Sequence, residues 1–112
     1  MKKNYQFTAA AMYLLIILLT FVGTATATSI CAGGAHTCAL LTGPGAVVKC
    51  WGRGSRGQLG YGGTANVVAM PVGPVPLGGV PEQVSCGREH TCAVLVGSHA
   101  KCWGAGASGR LG

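Results

Sequence analysis

Carboxylate side chains are almost missing from this sequence: Asp does not occur, and Glu82 and Glu89 are the only Glu residues among 112. The scarcity is chemically decisive. Paired-carboxylate hydrolysis, an Asp-oriented catalytic triad and an oxygen cage for Ca²⁺ or Mg²⁺ each need acids this chain does not have. Charge of either sign is sparse, at 9% of residues, with eight Lys and Arg against the two acids. The length allows one small domain and excludes a two-domain enzyme. No nucleophile, base and orienting group can be assembled from what remains. The chain is therefore expected to be no enzyme, with no catalytic residue, no cofactor and no metal site.

Glycine and cysteine are what the chain has in quantity, with 20 Gly and six Cys. Ahead of them, Lys2 and Lys3 precede an apolar run from Ala9 to Val22 that ends in small residues. That order is the pattern of a secretory signal peptide, residues 1–27, with cleavage after Ala27 at the end of Ala25-Thr26-Ala27. An uncleaved anchor is the alternative, but Phe7 to Gly23 falls short of the about 20 residues that span a bilayer. A lipoprotein is disfavoured because bulky Ile30 precedes Cys31. Each of these readings puts the rest of the chain outside the cytoplasm, secreted, periplasmic or at the cell surface. Membrane contact is confined to the N-terminal segment. Residues 28–112 keep six basic residues and two acids, so their net charge is 6 − 2 = +4. Small exported domains supplement a limited core with cross-links, so the six cysteines read first as a disulfide framework.

An internal repeat narrows the pairing. Gly33-Gly34-Ala35-His36-Thr37-Cys38-Ala39-Leu40 recurs 54 residues later as Gly87-Arg88-Glu89-His90-Thr91-Cys92-Ala93-Val94. Lys49-Cys50-Trp51-Gly52, running on to Gly57-Gln58-Leu59-Gly60, recurs 52 residues later as Lys101-Cys102-Trp103-Gly104, running on to Gly109-Arg110-Leu111-Gly112. A period just above 50 with β-type segments indicates a propeller or a related array, in which one unit cannot bury its faces alone. Each unit carries a hairpin: His36–Leu41 and Ala46–Trp51 flank Gly43-Pro44-Gly45, and Thr91–Val96 and Ala100–Trp103 flank Gly97-Ser98. Folding the first about Pro44 sets Cys38 opposite Cys50, and folding the second about Gly97 sets Cys92 opposite Cys102. Directly opposed residues in an antiparallel pair are within disulfide reach. Each such bridge contributes about 2.5–3 kcal/mol by the chain-entropy estimate.

The string Cys31-Ala32-Gly33-Gly34-Ala35-His36-Thr37-Cys38-Ala39-Leu40-Leu41, with Val48-Lys49-Cys50-Trp51-Gly52 and Gly57-Gln58-Leu59-Gly60-Tyr61-Gly62, resembles the regulator of chromosome condensation repeat, in its cysteine-bearing exported variety. Met70-Pro71-Val72 through Val80-Pro81-Glu82-Gln83-Val84 is similar to the connecting strand before the family's next repeat. The resemblance implies an all-β fold: a β-propeller of four-stranded blades, with His36, Trp51 and Gly52, then His90, Trp103 and Gly104, as repeat-motif positions. About one and a half repeats are present, the first about 31–85 and a partial second 86–112. A ring does not close with this material, so either the chain is a fragment of a longer propeller or it assembles with copies of itself or something else.

Other patterns have structural explanations. Gly52-x-Gly54-x-x-Gly57 and Gly104-x-Gly106-x-x-Gly109 match a dinucleotide fingerprint, but Gln58-Leu59-Gly60-Tyr61-Gly62-Gly63 cannot open a helix. These glycines read instead as turn or close-approach positions. His36 with Cys38, and His90 with Cys92, share strand faces but lack the short ligand loops of zinc sites, so they read as structural residues hydrogen-bonded within a blade. His99 reads as a solvated turn residue. Trp51 and Trp103 read as packing between neighbouring blades. Lys49, Arg53, Arg56, Arg88, Lys101 and Arg110 are spread singly along the chain and form no phosphate-tracking stripe, so no nucleic-acid partner is expected. Cys31 and Cys86 stay open: they pair with each other, with further repeats, or not at all.

The function expected is a non-catalytic, exported binding module for a protein or a cell-surface polymer, with Arg53, Ser55 and Arg56 as the candidate binding loop. Inhibition of a secreted enzyme is one form such binding takes in exported members of this architecture. The family's nuclear role in guanine nucleotide exchange and chromatin binding is the alternative, opposed by the export signal and the cystines.

Overall fold

The computed structural model describes residues 26–71 and 73–112. The expected signal peptide lies outside them except for Thr26 and Ala27. Six strands run in order: β1 (Thr26–Ala32), β2 (His36–Thr42), β3 (Val47–Gly52), β4 (Pro81–Cys86), β5 (His90–Leu95) and β6 (His99–Gly104), followed by a 3₁₀ turn at Ala107–Gly109. They form two three-stranded antiparallel sheets, ordered β1-β2-β3 and β4-β5-β6. The two have matching register: Cys38 faces Cys50 and Leu41 faces Val47, while Cys92 faces Cys102 and Leu95 faces His99. The first strand pair of each sheet carries an irregularity at the same place, between Ala27 and Ser29 and between Pro81 and Gln83. Alternation along β5 is strict, with Thr91, Ala93 and Leu95 buried and His90, Cys92 and Val94 half-buried, as period-2 geometry demands when one face meets a neighbour.

That neighbour is the other sheet. Cys38, Leu40, Val48, Cys50, Leu59, Val84, Ala93 and Leu95 form one core between them, joined by Val75 and Leu77 from the long connection. The connection from Arg53 to Val80 contains no named strand, yet it runs along the outer edge of β3. The Val75 N–H donates to the Val48 carbonyl, and Val67 exchanges both backbone hydrogen bonds with Gly52. Between these points the Tyr61 hydroxyl accepts from the Cys50 N–H at 3.0 Å and donates to the Cys50 carbonyl at 3.1 Å. Since the backbone of Cys50 points out of the sheet to Tyr61, Cys38 and Cys50 form the narrow, non-hydrogen-bonded type of pair, whose side chains sit closest. Their Cα atoms are 4.1 Å apart. Cover of this kind protects an edge that would otherwise template mispairing.

The fold is all-β, as expected, with three differences in detail. Among the described residues each sheet has three strands rather than four, and along the outer edge of β3 the fourth position is held by these single contacts. β1 reaches back into the segment read as the end of the signal peptide: Thr26 pairs with Thr42 and Ala27 with Leu41. Cleavage after Ala27 would remove those two pairs and leave the strand from Ser29 onward. His99 opens β6 opposite Leu95, exposed but not in the turn.

Candidate binding site

Three backbone turns meet at one end of the two sheets. Gly33 to Ala35 joins β1 to β2, Gly87 to Glu89 joins β4 to β5, and the Arg53–Gln58 loop follows β3. Hydrogen bonds fix them together: the Gly34 N–H donates to the Arg88 carbonyl at 2.9 Å and the Arg53 N–H to the Ala35 carbonyl at 2.8 Å. Glycine is required at Gly34, where a Cβ would stand 2.8 Å from the Arg88 carbonyl oxygen, and at Gly54, where it would stand 2.0 Å from that of Ala65. With Gly52 and Gly57 at φ +107° and +73°, the fingerprint-like spacing has a purely conformational explanation.

The turns enclose a cleft of about 140 Å³ lined by Gly34, Ala35, Arg53, Gln58, Arg88 and Glu89. Its volume is below the ~300 Å³ at which small-molecule pockets begin, and suits a single side chain. Arg53 and Arg88 are exposed in its lining beside half-buried Glu89, so the lining carries a formal charge of 2 − 1 = +1. The Arg53 Nε donates to Ser55 Oγ at 2.8 Å, and Arg56 Nε stands 4.0 Å from Glu89 Oε1. An ion pair so open to solvent leaves Arg56 free to turn to another anion. The structure thus brings Arg53 and Arg88, 88 − 53 = 35 positions apart in the sequence, into one lining, with Arg56 reaching its Glu89. Lys49, Lys101 and Arg110 do not join them. Lys101 Nζ is held by the Leu77 carbonyl at 2.6 Å, beside a wider groove of about 410 Å³ along β6. Lys101 is the one charged side chain in the lining of that groove.

Behind the cleft lies the hydrogen-bonded joint between the units. The Thr91 hydroxyl donates to the Gln58 carbonyl at 2.8 Å, and Trp103 Nε1 donates to the same oxygen at 2.9 Å. Having spent its one proton there, Thr91 Oγ1 accepts from His36 Nε2, 2.8 Å away, which fixes the Nε2–H tautomer. His36 Nδ1 is left buried without a partner among the described residues. A protonated ring would bury an unpaired N–H, and burial accordingly pushes His36 below its ordinary value, assisted by repulsion from His90. Here the outcome differs from the reading of histidines bonded within a blade, since the His36 bond crosses between units. Trp103 seals the joint over Gly60, whereas the equivalent Trp51 is half-buried on the outer face of the first unit. His90 is half-buried, and Gly52 and Gly104 take the same positive φ after Trp51 and Trp103.

Three disulfides are present: Cys38 to Cys50, Cys92 to Cys102, and Cys31 to Cys86. The last, left open by the sequence, bridges the two sheets with its Cα atoms 5.4 Å apart. No cysteine is free among the described residues. The sulfurs of Cys31, Cys38 and Cys86 lie within 4.8 Å of one another, but all three are committed to bridges.

Two successive hairpin-based sheets of equal register, packed face to face through a repeated Gly-x-Leu-Gly loop, define an all-β repeat protein of the propeller type. Two family models, each described as the regulator of chromosome condensation (RCC1) repeat, match the sequence, one over residues 48–94 and one over residues 27–58 and 82–110. The chain belongs to this family. It is 39% identical over 84 residues to the Ultraviolet-B receptor UVR8 of Arabidopsis thaliana, a match covering 74% of this chain and 19% of the receptor. It is 37% identical to the probable E3 ubiquitin-protein ligase HERC4 of Mus musculus, over 74% of this chain and 8% of the ligase. Similarity to the serine/threonine-protein kinase Nek8 of Danio rerio is 38%, over 59% and 10% of the two chains. The chain thus spans less than a fifth of each of these relatives. The solved ectodomain of the Physcomitrella patens receptor kinase CR4 aligns with 77% of this chain and 21% of its own at 22% identity and a TM-score of 0.47.

Proposed function

We propose that this chain is an exported, non-catalytic module that binds an acidic patch of a protein partner at the cleft lined by Arg53 and Arg88, with Arg56 next to it at Glu89. The observation that carries the reading is that two exposed arginines, Arg53 and Arg88, line one pocket of side-chain size, with Arg56 beside its Glu89. Arginine forks pair with carboxylates in a planar, two-pronged geometry, and arginine is enriched where binding energy concentrates at protein interfaces. Ser55, bonded to Arg53, positions one fork. The absence of Asp and the scarcity of Glu support the non-catalytic part, as does the fact that two relatives named for enzymatic activities match over a tenth or less of their lengths. Three cystines support export, because such bridges persist in oxidising compartments. Inhibition of a secreted enzyme is one form this binding takes when the acidic patch borders an active site.

Export is tested by sequencing the extracellular product, whose first residue is expected to be Thr28; retention of Met1 would favour an anchor. Binding is tested with the chain immobilised against the extracellular fraction of the producing cells. A partner captured by the wild type should be lost from Arg53→Ala/Arg88→Ala and eluted by moderate salt. Equal capture by that variant would remove the cleft from consideration.

A further inference from the structure

The peptide link between the two units is the connection from Arg53 to Val80, and it is pinned to β3 at intervals. Asn66 Oδ1 accepts from the Gly54 N–H at 3.0 Å, and Val67 exchanges both backbone hydrogen bonds with Gly52. The next pin is the bond from the Val75 N–H to the Val48 carbonyl. Between Val67 and Val75 the chain arches away: Val68, Ala69, Met70, Gly73 and Pro74 are exposed, and none of them makes a hydrogen bond to a described residue. Val68 is 99% exposed. Thr26, the first described residue, stands at the other edge and the other end of the same sheet, since it pairs with Thr42 while Val67 pairs with Gly52.

Exposed segments of small residues held by few hydrogen bonds are where a folded chain is nicked, because a protease must draw its substrate out before cutting it. Here only the isolated Val67–Gly52 bridge has to open. Composition then decides which protease can use the arch. No Lys or Arg occurs from Gly57 to Gly87, and no aromatic residue or Leu from Gly62 to Pro76. Enzymes whose specificity pocket demands a cation or a large ring find nothing to hold there, whereas a small pocket accepts Val68. The bond after Met70 leads into Pro71, whose ring removes the N–H and fixes the backbone.

We propose that the Val68–Ala69 bond is a processing site for a serine protease of the small-pocket class, and that cleavage turns this chain into a two-chain protein. Water adds across the bond, leaving a carboxylate on Val68 and an amine on Ala69. The halves stay together for reasons already present in the fold. Cys38–Cys50 lies wholly in the first half and Cys92–Cys102 wholly in the second, while Cys31–Cys86 ties one to the other. The hydrogen bonds of Thr91 and Trp103 to the Gln58 carbonyl, of His36 to Thr91 and of Gly34 to the Arg88 carbonyl also run between the halves. After the cut, Cys31–Cys86 is the covalent tie between the units among the described residues. Arg53 then belongs to one chain and Arg88 with Glu89 to the other, so the cleft becomes an inter-chain site. Cleavage itself is independent of any binding there.

The test uses the purified, oxidised full-length chain with elastase as the probe. Within residues 26–112 the first cut should fall after Val68, read by mass. In a denaturing gel the product should run as one species without reductant and as two with it. Val68→Asp places a charge in the apolar pocket and should slow this cut by more than about tenfold. Val68→Arg should open the same bond to trypsin, which has no site from Gly57 to Gly87 in the wild type. Both variants should keep the wild-type melting temperature, because the side chain is exposed. First cleavage at another bond within residues 26–112, a wild-type rate in Val68→Asp, or resistance of Val68→Arg at position 68 overturns the proposal. So does separation of the products without reductant, and so does survival of the wild type at an enzyme ratio that digests the reduced, unfolded chain.

Discussion

Replacing Thr91 by valine keeps the shape of a fully buried side chain and removes only its hydroxyl. That hydroxyl makes two bonds across the joint, to the Gln58 carbonyl and from His36 Nε2, each of 2.8 Å. The carbonyl keeps Trp103 as a donor and loses little. His36 loses its only hydrogen-bond partner, and because Nδ1 already has none, no change of tautomer rescues the ring. A net bond contributes about 0.5–1.5 kcal/mol and an orphaned buried donor costs about 1–3 kcal/mol, so the joint should weaken by about 2–3 kcal/mol. For a domain of this size that is a fall of roughly 8–24 °C in melting temperature. The control is the repeat-equivalent Thr37→Val, on an outer face with no bond to a described residue, which should change the stability of the dilute monomer by less than about 0.5 kcal/mol. Urea denaturation of both variants, at concentrations too low for association, measures the difference. Equal losses, or a Thr91→Val loss under about 1 kcal/mol, would refute the assignment of Thr91 as the node of the joint.

The bridges should differ in weight. Removing Cys31–Cys86, with a sequence separation of 55, should cost about 4 kcal/mol by loop entropy, against about 2.7 kcal/mol for Cys92–Cys102, with a separation of 10; equal denaturation midpoints for the paired Cys→Ser variants would contradict this. Stability should also fall in mild acid. Burial, with repulsion from His90, holds His36 below the ordinary histidine value of about 6.5, so the unfolded chain takes up the proton first. The contribution of neutral His36 is complete above about pH 6.5, declines as pH falls below it, and levels off beneath the lowered native value. Urea midpoints across this range should show the decline in the wild type and a shallower one in His36→Gln.

Much of the fold is legible in the sequence because its information is local. A turn at Gly43-Pro44-Gly45 and another at Gly97-Ser98 set the register of each hairpin, and the register dictates which cysteines face each other. Period and motif then identify the family. What is not legible is whatever joins distant residues. Thr91 and His36 are 55 positions apart, and nothing in either motif states that one completes the other across a joint rather than inside a blade. Arg53 and Arg88 look isolated because proximity follows from the stacking of two turns, an event of the tertiary structure. β1 is hidden for a different reason: small residues such as Thr26 and Ala27 satisfy a signal peptidase and an edge strand equally well. The connection from Arg53 to Val80 escapes strand patterning because it covers β3 through single contacts and not through a ladder.

One rung of the first sheet carries three cysteines side by side, Cys31 opposite Cys38 and Cys38 opposite Cys50. The middle residue therefore has a choice of two neighbours, and only one choice leaves Cys31 available for Cys86. In the export proposed above the N-terminal end would emerge first, so Cys31 and Cys38 would meet an oxidant before Cys50 and well before Cys86. A premature Cys31–Cys38 bridge fits the strand register and would strand Cys86 and Cys50 as thiols on separate elements. Escape requires attack by the Cys50 thiolate on Cys38, which frees Cys31 for the second unit. The crowded rung thus makes disulfide formation in this small chain a choice between two neighbours, with Cys38 as the position where it is made.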